Sequence, residues 1–325
     1  FPVSSEPGKA FTSVTYSDVS FREPESRADQ TRMMSIVTTG PETGYYVDIF
    51  RSRKERGGDK MHDYFYHNLG QTLTLTGTDG ADLNLQPTEE LAFAGAHLYA
   101  YSYIYDKKSA TTDKDIKATF TIAMPDKDDI SMNLWMKGET DREVFTALSP
   151  MTEGLSRTPG MPYNIKEQPT LTFVARQKGE AWNRPFVAIY EPVKEPGCIT
   201  EVSFPEVKSK TENSATGICV VQKNGRTDYI LSSDNPTDIC TSGKMSAQAT
   251  YALWGNKKGD DCTFFLGYGT LLSTPNVVIK AETPADVLLE FKKGTWYYTA
   301  STDCTVSIQK KTYKLKANTE EKTLK

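Results

Sequence analysis

Apolar and polar residues alternate with a period of two along most of the chain. Ile130, Met132, Leu134 and Met136 share one parity, as do Leu73 with Leu75 and Leu83 with Leu85, and the runs 171–175 and 186–190 are β-branched and aromatic. Such a period places alternate side chains on opposite faces of a strand. Turn signals punctuate these runs about every ten residues, among them Gly40-Pro41, Asp79-Gly80, Pro159-Gly160, Asn224-Gly225 and Lys293-Gly294. The pattern predicts an all-β protein, with residues 88–96 as the one short helix. The polar stretch 204–213, which contains Pro205, keeps neither period. It predicts a boundary between a large antiparallel β-sandwich over residues 1–205 and a smaller C-terminal β-domain over 206–325, whose charged end, 314–325, should fray.

Composition narrows the partners. The 325 residues carry 38 Lys and Arg against 42 Asp and Glu, a formal charge of −4, so a nucleic-acid-binding coat is excluded. No apolar run approaches the ~20 residues that a membrane-spanning helix needs. The chain opens at Phe1 without a leader-like segment, which suggests a mature chain or a fragment. Cys198, Cys219, Cys240, Cys262 and Cys304 contain no CxxC pair and have no His at ligand spacing, so a zinc knuckle or redox motif is not expected. A disulfide among them and five separate thiols are both open.

Candidate chemistry is sparse. The three histidines are His62, His67 and His97, and the segment 61–70 interleaves polar His, Asp and Asn with Tyr64, Phe65 and Tyr66. Five residues apart on a strand, His62 and His67 face opposite ways and cannot share a ligand set. Local hydrogen bonds could equally satisfy these imidazoles. Tyr99, Tyr101, Tyr103 and Tyr105 would form a stripe of phenols on one face of a strand, suited to stacking on sugar rings; the wet face of a sheet or a seam with another domain would carry the same stripe. Arg51, Arg53 and Arg56 could attract a carboxylated or sulfated sugar, or form a solvated hairpin. No nucleophile elbow, phosphate loop, dinucleotide fingerprint or HExxH motif is present, and no pair of carboxylates can be singled out for glycoside hydrolysis.

The wording of the chain adds a family resemblance. Arg32 with Ile36-Val37, then Tyr46-Val47-Asp48 with Phe50-Arg51, then Gly57-Gly58, then His62-Asp63-Tyr64 with His67 follow one another in an order that resembles the heparinase II/III-like polysaccharide lyases. Phe186-Val187 with Glu191-Pro192, and Gly225-Arg226 with Asp228, continue it, so the resemblance runs from about residue 32 to 230. In that family these phrases lie in the β-sandwich, of supersandwich type, that follows a helical toroid.

The resemblance implies an acidic, uronate-bearing polysaccharide as partner, cleaved by β-elimination, and a periplasmic or extracellular location. It implies that His67 is a zinc ligand in a full-length context, with the other ligands on strands that precede Phe1, and that this chain alone holds no zinc. The acid–base groups of the family lie largely on the toroid, which this chain lacks, so no catalytic residue is expected here and the chain alone should be inactive. His67, Tyr64, Tyr66, Arg51 and Tyr101 are the expected glycan-binding residues. The alternative is a stand-alone carbohydrate-binding or structural module of a surface glycan-utilisation system.

Overall fold

The computed structural model describes residues 3–4, 11–56, 58–92, 96–125, 127–151, 159, 167–194, 197–257 and 261–324. They are almost entirely strand, as the alternation predicts; the only helical element among them is the 3₁₀ segment Ala96–Tyr103. Residues 88–92 are not helical, and 93–95, the remainder of the expected helix, lie outside the described residues. The strands form several large antiparallel sheets. All five cysteines are free thiols. Among the described residues no helix is long and apolar enough to cross a membrane.

The chain forms two compact units, each assembled from separate stretches of sequence. The cleft unit comprises Phe21–Thr31 and Asp48–Gly197. The C-terminal unit comprises Phe1–Ser20, Arg32–Val47 and Cys198–Lys325.

In the cleft unit, one sheet runs in the order Met61–Asn68, Thr170–Lys178, Arg142–Ser149, Tyr105–Thr112, Gln86–Pro87. A second places residues 48–53 beside Ala181–Lys194, followed by Ile130–Met136, Ile116–Ile122 and Thr72–Gly77. The parity read from the sequence decides what lies between them. Tyr64, Phe173, Ala175 and Val144 of the first sheet pack with Leu134, Met136, Ala118, Phe120 and Phe186 of the second in one apolar core. Burying a side chain such as Phe173, which is fully inaccessible, is worth about 1.5–3 kcal/mol in transfer terms, so the interleaved faces hold the sandwich together. Arg142, 1% exposed, is stitched into the same unit. It donates to Gln177 Oε1 and to the carbonyls of Lys137, Arg184 and Pro185, lies over the Phe186 ring, and burial lowers its pKa to about 10.

The opposite face of the first sheet carries the residues of the other parity. Cross-strand register aligns His67 with Thr172, Phe65 with Val174 and Asp63 with Arg176. On this face Leu91, Phe145 and Val174 form a small separate cluster, against which Phe65 and Tyr101 pack.

In the C-terminal unit an eleven-stranded sheet runs through Ile199–Ser203, Ala215–Gln222, Arg226–Ser233, Met245–Lys257, Cys262–Ser273, Val277–Lys292, Thr295–Ala300 and Lys322–Thr323, with three further short strands attached. Met245–Lys257 and Cys262–Ser273 are buried nearly continuously, because both faces are covered. One face packs on the N-terminal segments: Tyr16 stacks on Tyr251 at 5.8 Å and Phe11 meets Phe265 edge-on at 5.9 Å. Tyr45 donates to the buried Asp228 carboxylate at 2.9 Å. The other face carries Phe264, Leu266, Leu289 and Tyr298, which pack with Val277, Ile279, Val306 and Ile308. One sixteen-residue strand, Val277–Lys292, runs through this sheet. Its first half pairs with Cys304–Ile308 and its second with Thr295–Ala300. The charged terminus does not fray: Lys311–Leu315 pairs with Cys304–Ile308, Leu315 is buried, and Lys322–Thr323 pairs with Tyr298 and Tyr297. Alternate apolar positions, Leu315 among them, outweigh its lysines.

Candidate functional site

Met61–Asn68 is the edge strand of its sheet, and around this edge the cleft unit opens a cavity of about 990 Å³. Asp63, Phe65 and His67 line it from one face of the strand, and His62 also reaches it. The two histidines face opposite ways, as their spacing requires, yet both meet the cavity because it wraps an unpaired edge. Further lining comes from Ser26, Ala28 and Gln30, from Phe50, Ser52 and Lys54, from the turn 58–60 and Met61, from Ala100, Tyr101, Tyr103 and Ile104, and from Ser149 and Pro150.

Each imidazole is held by a specific partner. Gly58 takes φ +75°, a left-handed conformation open to glycine, within the turn that carries Asp59 to His62. Asp59 Oδ1 lies 2.6 Å from His62 Nε2 and accepts the Lys54 backbone N–H at 2.6 Å. His67 is exposed, stacks on Phe65 at 5.9 Å, and places Nδ1 2.9 Å from Thr172 Oγ1, which lies 2.8 Å from Ser149 Oγ. Partial burial of the ring lowers its pKa below the ordinary histidine value. Its Nε2 has no partner among the described residues, so the neutral ring can present one nitrogen to a ligand.

The tyrosine stripe takes a different form from the one the alternation suggests. Residues 99–103 belong to the 3₁₀ segment, where three residues make a turn, so alternate phenols diverge. Tyr101 turns onto the sheet, donates to Asp63 Oδ2 at 2.5 Å and meets Phe65 edge-on at 5.4 Å. Burial, reinforced by Asp63, raises its pKa well above the usual phenol range. Tyr99 and Tyr103 stay exposed, with rings 5.5 Å apart and hydroxyls 3.1 Å apart. Tyr105 begins the next strand. Asp63 also receives Arg176 Nε at 2.7 Å and Nη2 at 2.8 Å, and Arg176 Nη1 reaches Glu90 at 3.3 Å. This ion pair anchors the cavity wall, leaving Asp63 and Arg176 engaged with one another.

Of the residues expected from the sequence, His67 and Tyr101 line the cavity, whereas Tyr64, Tyr66 and Arg51 do not. Tyr64 is buried, donates to Asp48 Oδ2 at 2.6 Å and is hydrogen-bonded to Tyr190. Tyr66 packs on Tyr190 and Phe120 at 4.7 and 5.3 Å and accepts from Asn68 Nδ2. Both have the parity of the core face, opposite to His67. Arg51 lies within a strand, not in a loop, and donates to the Trp182 carbonyl from a site 3% exposed; Arg53 lies over the Trp182 ring at 4.3 Å. Both guanidinium groups thus have intramolecular partners, and Arg56 is the exposed member of the cluster. The cations that do line the cavity, Lys54 and Lys60, carry no motif in the sequence; their proximity to the two histidines on one strand was the available signal. The side chain of His97 lies outside the described residues.

Among the described residues no group of three or more His, Cys, Asp or Glu side chains is placed to hold a metal ion. Asp48 is bonded to Tyr64 and Asp63 to Arg176, so the described donors do not fit a zinc site around His67.

The cleft thus gathers aromatic, imidazole, ammonium and carboxylate groups on an all-β scaffold. No protein-family profile matches the chain. The chain is similar to an endo-acting ulvan lyase of Formosa agariphila, with 30% identity over 269 residues, covering 79% of this chain and 31% of that protein. It is therefore a relative of a polysaccharide lyase and spans about a third of that relative's length.

Proposed function

We propose that this chain is the β-sandwich portion of a heparinase II/III-like polysaccharide lyase and that its cleft unit holds an acidic, uronate-bearing glycan of the ulvan type. The relationship to an ulvan lyase carries this reading. The cleft supports it, since Tyr103 and Tyr101 offer flat rings, Lys54 and Lys60 offer positive charge, and His62 and His67 offer polar donors around one volume of about 990 Å³. Such a polymer is met outside the cytoplasm, so the proposed setting is periplasmic or extracellular.

The proposed role of the chain by itself is binding. β-Elimination needs a cation to neutralise the uronate carboxylate, a base for the C5 proton and an acid for the leaving oxygen. Arg51 and Arg176, the buried guanidinium groups nearest in sequence or space to His67, are engaged by Trp182 and Asp63. Lys54 and Lys60 could supply the cation and His67 and Tyr103 the proton-transfer groups. The resemblance places the family's acid–base groups largely on the helical toroid, however, so we infer that the set within this cleft is incomplete. Zinc at His67 would require ligands other than the described residues.

Calorimetric titration of ulvan oligosaccharides tests the reading. Binding should weaken with salt, because exposed charges are screened over about 8 Å at physiological ionic strength. Tyr103→Ala and Lys60→Gln should reduce affinity several-fold. Absence of binding at any ionic strength would favour a structural module. Release of an unsaturated uronate by the purified chain would refute the purely binding role.

A further inference from the structure

The C-terminal unit contains a second cavity, of about 500 Å³, at the open end of its apolar core. Cross-strand register builds its wall. Asn256, Cys262, Phe291 and Trp296 form one row across four strands, and Trp254, Phe264, Leu289 and Tyr298 form the next row on the same face. Trp296 lies 5.1 Å from Phe291 and 6.2 Å from Phe264, while Trp254 stacks on the exposed Tyr229 at 5.1 Å. Both indoles remain partly exposed at the rim of a core they help to close. Asn276 and Gln309 complete the rim, brought together by the Gln309 N–H donating to the Asn276 carbonyl at 3.1 Å.

Three features set this cavity apart from an ordinary end of a core. The side-chain amides of Asn256, Asn276 and Gln309 lie exposed and make no hydrogen bond to the described residues, and neither indole N–H has a partner among them. Five donor-bearing groups thus converge on one volume beside broad aromatic faces. Lys257 is the single charged side chain among the described lining residues. A sugar ring presents apolar C–H faces to aromatic rings and hydroxyls to amides, and a sulfate or carboxylate on it would meet the ammonium. The volume lies within the range typical of small-molecule sites, about 300–1,000 Å³.

We propose that this cavity is a separate glycan-binding subsite that takes one or two residues of an anionic polysaccharide. Trp296 and Phe291 provide the platform, Asn256, Asn276 and Gln309 read hydroxyls, and Lys257 pairs with a sulfate or carboxylate. The site shares its ligand class with the proposed role of the cleft unit but uses none of its residues. Two subsites on one chain would raise the avidity for a long polymer above that of either alone.

The four indole N–H resonances of the ¹⁵N-tryptophan-labelled full chain, followed during titration with ulvan oligosaccharides, test this directly. Assignment uses Trp254→Phe and Trp296→Phe. The Trp254 and Trp296 signals should shift saturably, and these shifts should persist in a His67→Ala, Tyr103→Ala variant. The exposed substitutions Gln309→Ala and Lys257→Gln, which leave the core intact, should each raise the apparent dissociation constant for those shifts at least threefold. Shifts at the His67 ring, followed in a second sample labelled with ¹⁵N-histidine, without shifts at Trp254 and Trp296 would overturn this inference and leave the cleft reading standing. Shifts at both tryptophans with an unresponsive cleft would do the reverse. Tryptophan shifts unaffected by both Gln309→Ala and Lys257→Gln would also overturn it.

Discussion

The hydroxyl of Tyr101 donates to Asp63 at 2.5 Å and so fastens a 3₁₀ turn onto the outer face of a β-sheet. The same carboxylate is gripped by both donors of the Arg176 fork. One wall of the cleft therefore depends on a phenol, and the phenol on a charge pair beneath it.

Tyr101→Phe keeps the ring packed on Phe65 and removes only the hydrogen bond. Bonds to charged groups contribute about 1.5–3 kcal/mol, so urea denaturation should show a loss in that range. Tyr103→Phe, whose hydroxyl meets only the exposed Tyr99, should leave the midpoint unchanged. Equal effects in the two variants would show that Tyr101 does not pin the segment.

Arg176→Ala leaves the Asp63 side chain, 8% exposed, without its main counter-charge. Removing one partner of a buried pair costs about 3–5 kcal/mol. Replacing both, Arg176→Met with Asp63→Leu and with Tyr101→Phe to spare its hydroxyl, should recover part of that loss. Denaturant midpoints of the single and triple variants check it, and a triple variant as unstable as the single would contradict the assignment.

Tyr64→Phe separates a structural from a ligand-binding role for the core-facing tyrosine. Its bond to the buried Asp48 carboxylate predicts a stability loss of about 1–3 kcal/mol. Glycan affinity, measured below the unfolding transition, should stay at the wild-type value.

The pH dependence of glycan binding follows from His67. Its folded-state pKa lies below the ordinary value of about 6.5. The neutral ring is thus the form that folding favours: its contribution to stability is fully present above the unfolded value and is lost as pH falls through the lowered one. An anionic ligand favours the imidazolium instead. Affinity for ulvan oligosaccharides should rise on acidification from pH 7.5 to 5, with the gain concentrated below pH 6.5. His67→Gln should flatten the rise, and an unchanged gradient in that variant would show that His67 is not the responsible group.

Much of this molecule was legible in the order of its residues. A period of two fixes which side chains share a face, and the same parity that sets Tyr64 and Tyr66 against the core sets Asp63, Phe65 and His67 on the other side. The strand class and the turns followed from alternation and from glycine and proline, because these are local effects of backbone sterics and burial. The histidine strand, too, was visible as a place where polar groups interrupt aromatics.

Other features depended on what each strand met in three dimensions. Alternation of tyrosines over 99–105 is compatible with a strand, but the 3₁₀ conformation won where Tyr101 could reach Asp63 and Phe65. Arg51 reads as a surface cation until the Trp182 carbonyl, 131 residues away, is seen to accept a hydrogen bond from it. Val277–Lys292 runs unbroken through Glu282-Thr283-Pro284 because its halves have different partners. Local sequence thus determined faces and element type, which depend on near neighbours. Tertiary structure decided which edge stays unpaired, which charges are neutralised and where a cavity opens, since each depends on groups brought together from distant parts of the chain.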